Sequence, residues 1–289
     1  MVDARSADQR RRELLWRAPS TVRRGYADYR YGQLHYRIAK PASPSERRPL
    51  FLFHQTGSSG RCYEGLIAEL GRDRVAIVAD TPAFGNSDAL PHPPSIADFA
   101  AAMGELIDYF GFRDIDVMGD HTGSKTAVEV AIQRPVQVRR VVLNAAPVYS
   151  AAELAALTAF DDAVETADDD GRYVMVRWGW ARDNLPPEVP ITVRELEFVE
   201  GLRAGPLAYH GHHAAFSYLH AENLPKVTQP LLLLHARDDL WAPTARAAAY
   251  IRNGKMIDLP QWGREMLLFR YREVAPIIRA FLDAEQPVQ

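Results

Sequence analysis

Short apolar runs alternate with helix-like segments along most of this chain, and that alternation restricts the fold more than any other feature of the sequence. The first two predicted strands alternate in polarity around Gly32, and most later ones are continuously apolar, as in strands covered on both faces. The eight predicted strands are 26–31, 33–39, 50–54, 75–80, 114–118, 139–145, 230–236 and 255–260. Amphipathic helices such as 95–111 separate them. The sequence therefore predicts an α/β fold with a mostly parallel eight-stranded sheet and helices on both faces.

Residues 147–225 interrupt this alternation. Their segments, including the tryptophan-rich VRWGWARDNLPP, are typical of several helices joined by turns. An insertion of this length between two core strands is expected to cover the C-terminal edge of the sheet, where open α/β sheets bind ligands. The predicted organisation is a core formed by 1–146 and 226–289, with 147–225 as a helical cap.

Composition excludes several classes of protein. The net charge is −3, so neither nucleic acid nor an anionic membrane is an expected partner. A single cysteine, Cys62, allows no internal disulfide, and no Cys/His spacing resembles a zinc site. No apolar run approaches the roughly 20 residues that span a bilayer, and the charged N-terminus lacks a signal core. We expect a cytoplasmic protein without a bound metal.

Two further expectations concern partners and cofactors. The arginines within residues 10–24 favour a solvated leader or a subunit contact in a homodimer over a phosphate-binding arm. No G-x-G-x-x-G follows the first strand and no phosphate loop occurs, so no cofactor is implied. The expected partner is a small-molecule substrate.

The stretch MGDHTGSK, 118–125, has the pattern of a nucleophile elbow. A buried strand ends, a tight turn lies between Gly119 and Gly123, and a helix begins. In G-x-S-x-G elbows the middle residue stands exposed on a strained strand-to-helix turn. Here that residue is His121.

With three further fragments, this elbow resembles the α/β-hydrolase superfamily over nearly the whole chain. HQTGSSG, 54–60, is similar to the oxyanion loop after the third strand, and DTPAFGNSD, 80–88, to a second family loop. ARDDLWAP, 236–243, is similar to the acid loop and places the acid at Asp239. The layout most resembles the capped branch that contains epoxide hydrolases, dehalogenases, C–C hydrolases and many esterases. The resemblance implies the α/β-hydrolase fold.

Two departures from the family pattern determine the predicted chemistry. The elbow carries His121 instead of Ser, Asp or Cys, and the family's late histidine is replaced by Arg264, with no histidine after His235. An imidazole on the elbow is long enough to reach into the vacated space. The sequence therefore predicts a His–Asp dyad of His121 and Asp239, in which the carboxylate raises the pKa of the ring and orients it.

The dyad could act in two ways. His121 could remove a proton from water, or it could attack a carbonyl and form an acyl-imidazole. The first is favoured because no second general base is visible, Glu265 being a weak candidate. The backbone N–H groups of Thr56 and Thr122 are the expected oxyanion donors. A frame shifted by one residue would make Asp120 an alkylatable carboxylate, but the two glycines argue against it.

Other residues have a structural as well as a functional interpretation. His54 is expected to be structural or to line the pocket, and Gln55 could either bind substrate or fill the space of a missing glycine. Arg264 could pair with Asp239 or bind a substrate carboxylate. The cap histidines, including His213, are expected to line a pocket or face solvent rather than bind metal. The expected apolar wall of the cap is Trp178, Trp180 and Tyr209.

Three functions remain open from the sequence. The first is hydrolysis of a small, apolar ester, lactone or ketone-adjacent C–C bond. The second is a non-hydrolytic lyase, cyclase or cofactor-free oxygenase that uses His121 as base. The third is a catalytically inactive small-molecule binding protein.

Overall fold

The computed structural model describes residues 19–164 and 169–285. Its strands are β1 (Val22–Tyr29), β2 (Gly32–Ala39), β3 (Leu50–Phe53), β4 (Ala76–Ala79), β5 (Ile115–Asp120), β6 (Val138–Asn144), β7 (Leu231–Ala236) and β8 (Gly254–Leu259). These eight strands form one sheet in the order β1-β2-β4-β3-β5-β6-β7-β8.

The sheet is mixed but mostly parallel. Strand β2 runs antiparallel to β1 and β4, and every other neighbouring pair is parallel. The predicted fold class is therefore confirmed. Strand β1 begins earlier than the predicted residue 26, because the buried Val22 pairs with Ala39 at the end of β2.

Helices connect the strands and cover them. They are α1 (Glu64–Leu70), α2 (Ile96–Phe110), α3 (Thr122–Gln133), α4 (Ala151–Val164), α5 (Arg172–Asp183), α6 (Ile191–Arg203), α7 (Ala208–Ser217), α8 (His220–Asn223), α9 (Trp241–Ala245) and α10 (Tyr271–Leu282). Short 3-10 turns occur at Gly60–Tyr63, Gly205–Leu207, Leu224–Lys226 and Arg246–Tyr250. Helix α2 shows how local sequence sets these bounds, because Ser95 and Asp98 form a capping box at its start and Gly111, with φ 69°, ends it.

The core has two layers, one on each face of the sheet. In β3, Phe51 and Phe53 pack with residues of α2 and α3, whereas Leu50 and Leu52 point to the other face and pack with residues of α1 and α10. Successive side chains of a strand point to opposite faces. A strand with helices on both sides must therefore be apolar throughout, as the sequence of β3 is.

Helices α4 to α8 lie between β6 and β7, within the stretch 147–225 that the sequence assigns to a cap. Helix α5 packs against α6, and α4 against α7. The helical character expected for this stretch is present, and its division from the core as a separate cap stays a prediction.

Two further expectations from the sequence concern membrane-spanning segments and the arginine-rich leader. Within residues 19–164 and 169–285, every helix is too short or too polar to cross a lipid bilayer. Most of the arginine-rich leader lies outside the described residues. Of its arginines, Arg23 and Arg24 are described, and both are exposed on β1.

Candidate active site

His121 lies at the apex of the turn between β5 and α3, in a backbone conformation that residues other than glycine rarely adopt. Its φ is 50° and its ψ is −111°. A Cβ at Gly119 would lie 2.0 Å from the carbonyl oxygen of Gly123, and one at Gly123 would lie 2.0 Å from that of Phe53. Both glycines are therefore required where β5, α3 and β3 approach each other, as the elbow pattern predicts.

Hydrogen bonds hold the strained residue in place. The N–H of His121 donates to the carbonyl oxygen of Asn144 at 3.0 Å. The hydroxyl of Ser124 lies within hydrogen-bond distance of the carbonyl oxygens of His121 and Ala145. The elbow is thus tied to β6 and to the first turn of α3, and such surroundings can maintain a strained conformation.

The ring of His121 contacts Asp238, and this corrects the contact expected with Asp239. Nε2 of His121 lies 3.0 Å from Oδ2 of Asp238, whose side chain is 2% exposed. The side chain of Asp239 is 50% exposed and lies beside Arg264 instead. The N–H of Leu240 donates to Oδ1 of Asp238 at 2.8 Å and so fixes its inward orientation. Family spacing in ARDDLWAP pointed to the second of two adjacent aspartates, and the turn after β7 directs the first one inward.

The second ring nitrogen of His121 faces the cavity. Nδ1 has no hydrogen-bond partner among the described residues, and it is not fully buried. His121 also lines the cavity described below. The arrangement is the reverse of a serine-protease triad, where the carboxylate bonds Nδ1 and Nε2 faces the reacting group.

The surrounding carboxylates favour the protonated ring. Burial of His121 disfavours its charge, but the charge of Asp120 and the hydrogen bond and charge of Asp238 outweigh this and raise the pKa of His121 to about 9. Burial disfavours the charge of Asp238 as well, but its hydrogen bond with His121 leaves the pKa of Asp238 lowered. At neutral pH the two groups therefore form an ion pair, and the neutral imidazole becomes abundant only in alkaline solution.

Asp120 supports this charge from behind the elbow. It is the last residue of β5 and is 6% exposed. Its carboxylate accepts hydrogen bonds from the hydroxyl of Tyr63 at 2.6 Å and from the side-chain amide of Asn144 at 2.7 Å. The apex of the turn belongs to His121, so the shifted frame is not adopted.

Two backbone donors lie beside His121. Among the described residues, the N–H groups of Thr56 and Thr122 donate to no protein acceptor, and both residues line the cavity. The hydroxyl of Thr56 donates to that of Thr122 at 2.8 Å and joins their two loops. The adjacent N–H of Gln55 is directed to the hydroxyl of Tyr63 at 3.4 Å. The geometry is consistent with an oxyanion hole in which Thr56 and Thr122 are the donors.

The cavity has a volume of about 290 Å³ and lies between the core loops and helices α4 to α7. Seven predicted site residues line it: Gln55, Thr56, His121, Thr122, Trp180, Asp239 and Arg264. His212, one of the cap histidines, also lines it, and lining residues that the sequence did not single out include Lys125, Tyr149, Arg177, Glu197, Phe198 and Phe216. Their only sequence signal was their place in the predicted cap or on the elbow helix.

Some predicted site residues lie elsewhere. The ring of His54 is buried, accepts the N–H of Thr81 at Nε2, and lies 2.7 Å from the carbonyl oxygen of Gln55 through Nδ1, which supports the structural interpretation. Trp178 packs on Phe198, outside the cavity lining. Tyr209 stacks on the ring of His210 and contacts His213 edge to face, also away from it. Glu265 accepts the N–H of Gly263 on its own loop.

Arg264 joins the last core loop to helix α6. Its Nε donates to Glu197 at 3.1 Å, and Nη1 lies 3.5 Å from Asp239. Its guanidinium lies 4.1 Å from the ring centroid of Trp180, which is a cation–π distance. Gln55 also donates to Glu197, at 3.3 Å. Arg264 thus makes the contact with Asp239 that was one of its two predicted roles, and a shorter contact, with Glu197, that the sequence did not suggest.

One group of described residues could offer ligands to a cation. Ligand atoms of His121, Asp238 and Asp239 all lie within 4.8 Å of one another. Arg264 beside Asp239 places a positive charge at the same point, which works against a metal ion there.

Comparison with known proteins identifies the family of the fold. Residues 48–271 match the model of the α/β hydrolase fold family. The chain belongs to the α/β hydrolase fold family. A poly(3-hydroxyalkanoate) depolymerase of Ectopseudomonas oleovorans is 25% identical over 262 residues, which are 86% of this chain and 88% of that one.

Two solved structures share the architecture. The enol-lactonase from Burkholderia xenovorans LB400 matches with a TM-score of 0.72 and 19% identity, over 90% of this chain and all of that one. The esterase RhEst1 from Rhodococcus sp. ECU1013 matches with a TM-score of 0.77 and 19% identity, over 92% of this chain and all of that one. At this identity, the likeness concerns the fold alone.

Proposed function

We propose that this protein hydrolyses small carboxylic esters or lactones, with His121 as general base toward water and Asp238 as the group that orients it. The observation that carries the proposal is the position of three groups at one cavity. Nδ1 of His121 opens to the cavity while Asp238 holds Nε2, and the free N–H groups of Thr56 and Thr122 lie beside it. The names of the depolymerase, lactonase and esterase relatives agree with ester chemistry.

The first step is attack by water. In the neutral ring the proton lies on Nε2 and is donated to Asp238, so the lone pair of Nδ1 points into the cavity. Nδ1 takes a proton from water as the water oxygen bonds to the carbonyl carbon. The carbonyl oxygen becomes an oxyanion, which the N–H groups of Thr56 and Thr122 stabilise.

The second step is release of the alcohol. The carbon–oxygen bond to the leaving group breaks as the carbonyl re-forms, and the proton on Nδ1 passes to the leaving oxygen. An ester gives an acid and an alcohol, and a lactone gives one hydroxy acid. His121 returns to its neutral form, so the cycle balances.

The raised pKa of His121 supports one competing function. At pH 7 the ion-paired ring carries an N–H at Nδ1, which with the N–H groups of Thr56 and Thr122 gives three donors that suit binding of a ligand with acceptor oxygens, without turnover. Thermal denaturation distinguishes the two, since a ligand that is only bound raises the melting temperature and is recovered unchanged.

The test is hydrolysis of γ-butyrolactone and ethyl butyrate in ¹⁸O-labelled water at pH 9. We expect one labelled oxygen in the acid product and a loss of at least about 100-fold in kcat for His121→Gln, which retains a polar side chain but cannot act as a base. His92→Ala is the matched control, because His92 is exposed and distant in sequence from the site. Unchanged activity in His121→Gln would exclude the proposed mechanism.

A further inference from the structure

Lys125 is a buried amine in the cavity wall that the proposed hydrolysis does not use. It lies in the first turn of α3, four residues after His121. The residue is 3% exposed and lines the same cavity. The chain has four lysines, and the other three are exposed: Lys40, Lys226 and Lys255.

The surroundings of the amine favour its neutral form. Nζ donates to the carbonyl oxygen of Tyr218 at 2.7 Å and lies 5.9 Å from the centroid of that ring. Among the described residues, no carboxylate forms an ion pair with Nζ, and no second acceptor meets it. An ammonium has three N–H donors and would leave two of them without acceptors. Burial accordingly lowers the pKa of Lys125 to about 7.

The neighbouring ionisable groups do not reverse this. Burial first, and then the nearby charge of Lys125, lower the pKa of His220. An imidazole ring is neutral or cationic, so His220 offers the amine no anionic partner. The carboxylate of Glu129, one turn further along α3, accepts the hydroxyl of Tyr218 at 2.9 Å. His212 lines the same cavity but carries no negative charge. At neutral pH a large fraction of Lys125 therefore carries a free lone pair.

We propose that Lys125 binds small aldehydes or ketones covalently in this cavity, as an imine. The lone pair of Nζ attacks the carbonyl carbon, and a proton moves from nitrogen to oxygen to give a carbinolamine. The hydroxyl takes one proton from the solvent and leaves as water, and a protonated C=N bond forms without oxidation or reduction. A desolvated lysine in an apolar pocket is a suitable nucleophile for this step. The one N–H of the iminium can keep its hydrogen bond to the carbonyl oxygen of Tyr218.

This site is independent of the ester chemistry assigned to His121. An aldehyde or ketone has no leaving group that hydrolysis could release, so an imine would make the cavity selective for a second class of carbonyl compound. Its failure and that of the hydrolytic proposal can therefore be observed separately.

The experiment is reductive trapping with butanal and cyanoborohydride at pH 7, followed by peptide mapping of the full chain. We expect Lys125 to be alkylated at least about tenfold faster than each exposed lysine, because an ordinary lysine with a pKa of about 10.4 is almost fully protonated at pH 7. The comparison uses the four lysines of one unaltered protein, so it needs no variant. Labelling of Lys125 no faster than that of the exposed lysines would overturn the proposal.

Three variants extend the test. Lys125→Met should lose the rapid adduct, and Lys226→Met, on the surface, should retain it. His121→Gln should also retain the adduct, which separates this site from the hydrolytic one. Rapid cavity labelling that persists in a folded Lys125→Met chain would refute the assignment to this amine.

Discussion

Asp238→Asn tests the proposed catalytic pair most directly, because it removes one charge with almost no change in shape. Oδ1 of Asp238 accepts the N–H of Leu240 at 2.8 Å, and an asparagine would keep its carbonyl oxygen there. Its NH₂ group would then take the place of Oδ2, 3.0 Å from Nε2 of His121. Because NH₂ can only donate, Nε2 must accept, and the ring proton moves to Nδ1. The nitrogen that faces the cavity then has no lone pair with which to accept a proton from water.

Asp238→Asn should change two quantities, kcat and the pKa of His121. The corresponding substitution in a serine-protease triad reduces kcat by about 10⁴-fold through the same change of tautomer, so we expect a loss of about 10³ to 10⁴-fold, or about 4 to 5 kcal/mol in the barrier. The variant also removes a carboxylate that holds the pKa of His121 at about 9. That pKa corresponds to a preference of about 3 kcal/mol for the charged ring over an ordinary histidine. The pKa of His121 should therefore fall.

The assay is the pH dependence of lactone hydrolysis between pH 6 and 10, measured in a pH-stat. In the unaltered protein kcat/KM should rise about tenfold per pH unit from pH 7 and level off near pH 9, because about 1% of His121 is neutral at pH 7. Asp238→Asn should lower the whole profile and abolish this rise. Asp239→Asn is the matched control and should retain the profile within about tenfold, since Asp239 is half exposed and bonded to Arg264. If Asp239→Asn caused the loss and Asp238→Asn did not, the assignment of the acid would be wrong.

The remaining predictions concern stability. Gly123→Ala should unfold the chain or lower its melting temperature sharply, because the new Cβ would lie 2.0 Å from the carbonyl oxygen of Phe53, whereas Gly179→Ala, with no atom within 4 Å, should not. A stable Gly123→Ala protein would contradict the elbow geometry. Asp80→Asn should lower the free energy of unfolding at pH 7 by about 3 kcal/mol or more, because Asp80 pairs with the buried Arg37. Burial opposes its charge, but hydrogen bonding and nearby cations hold the pKa of Asp80 at about 2, so the contribution is complete above about pH 4 and is lost as pH falls towards 2. Urea denaturation should show a smaller difference in free energy of unfolding between the unaltered protein and Asp80→Asn at pH 3 than at pH 7. An equal difference at the two pH values would contradict this prediction.

Local patterns in the sequence are sufficient to predict the sheet and the elbow. A strand such as β3, apolar at all four positions, can only be satisfied with helices on both faces, so the alternation of runs leads to the fold. Gly119 and Gly123 leave no room for a Cβ, and the spacing between them fixes which residue occupies the apex. The apolar runs and the spacing of the two glycines lie along the chain, where a sequence shows them directly.

Contacts between distant residues could not be predicted in the same way. Asp238 and Asp239 are adjacent and chemically identical, and only the path of the chain after β7 directs one to His121 and the other to Arg264. Glu197 and Arg264 lie 67 positions apart and meet because α6 packs over the last core loop.

The ionisation of the site also depends on the tertiary structure. Nothing in GDHTGSK distinguishes Lys125 from a surface lysine, or predicts that the pKa of His121 is about 9. The ionisation of both residues depends on which groups are buried together. Burial disfavours the unpaired ammonium of Lys125, whereas two nearby carboxylates favour the imidazolium of His121. The sequence alone therefore determined which residue occupies the elbow. The tertiary structure decided which carboxylate the ring pairs with and which protonation state it adopts, because distance and burial set the strength of those charge interactions.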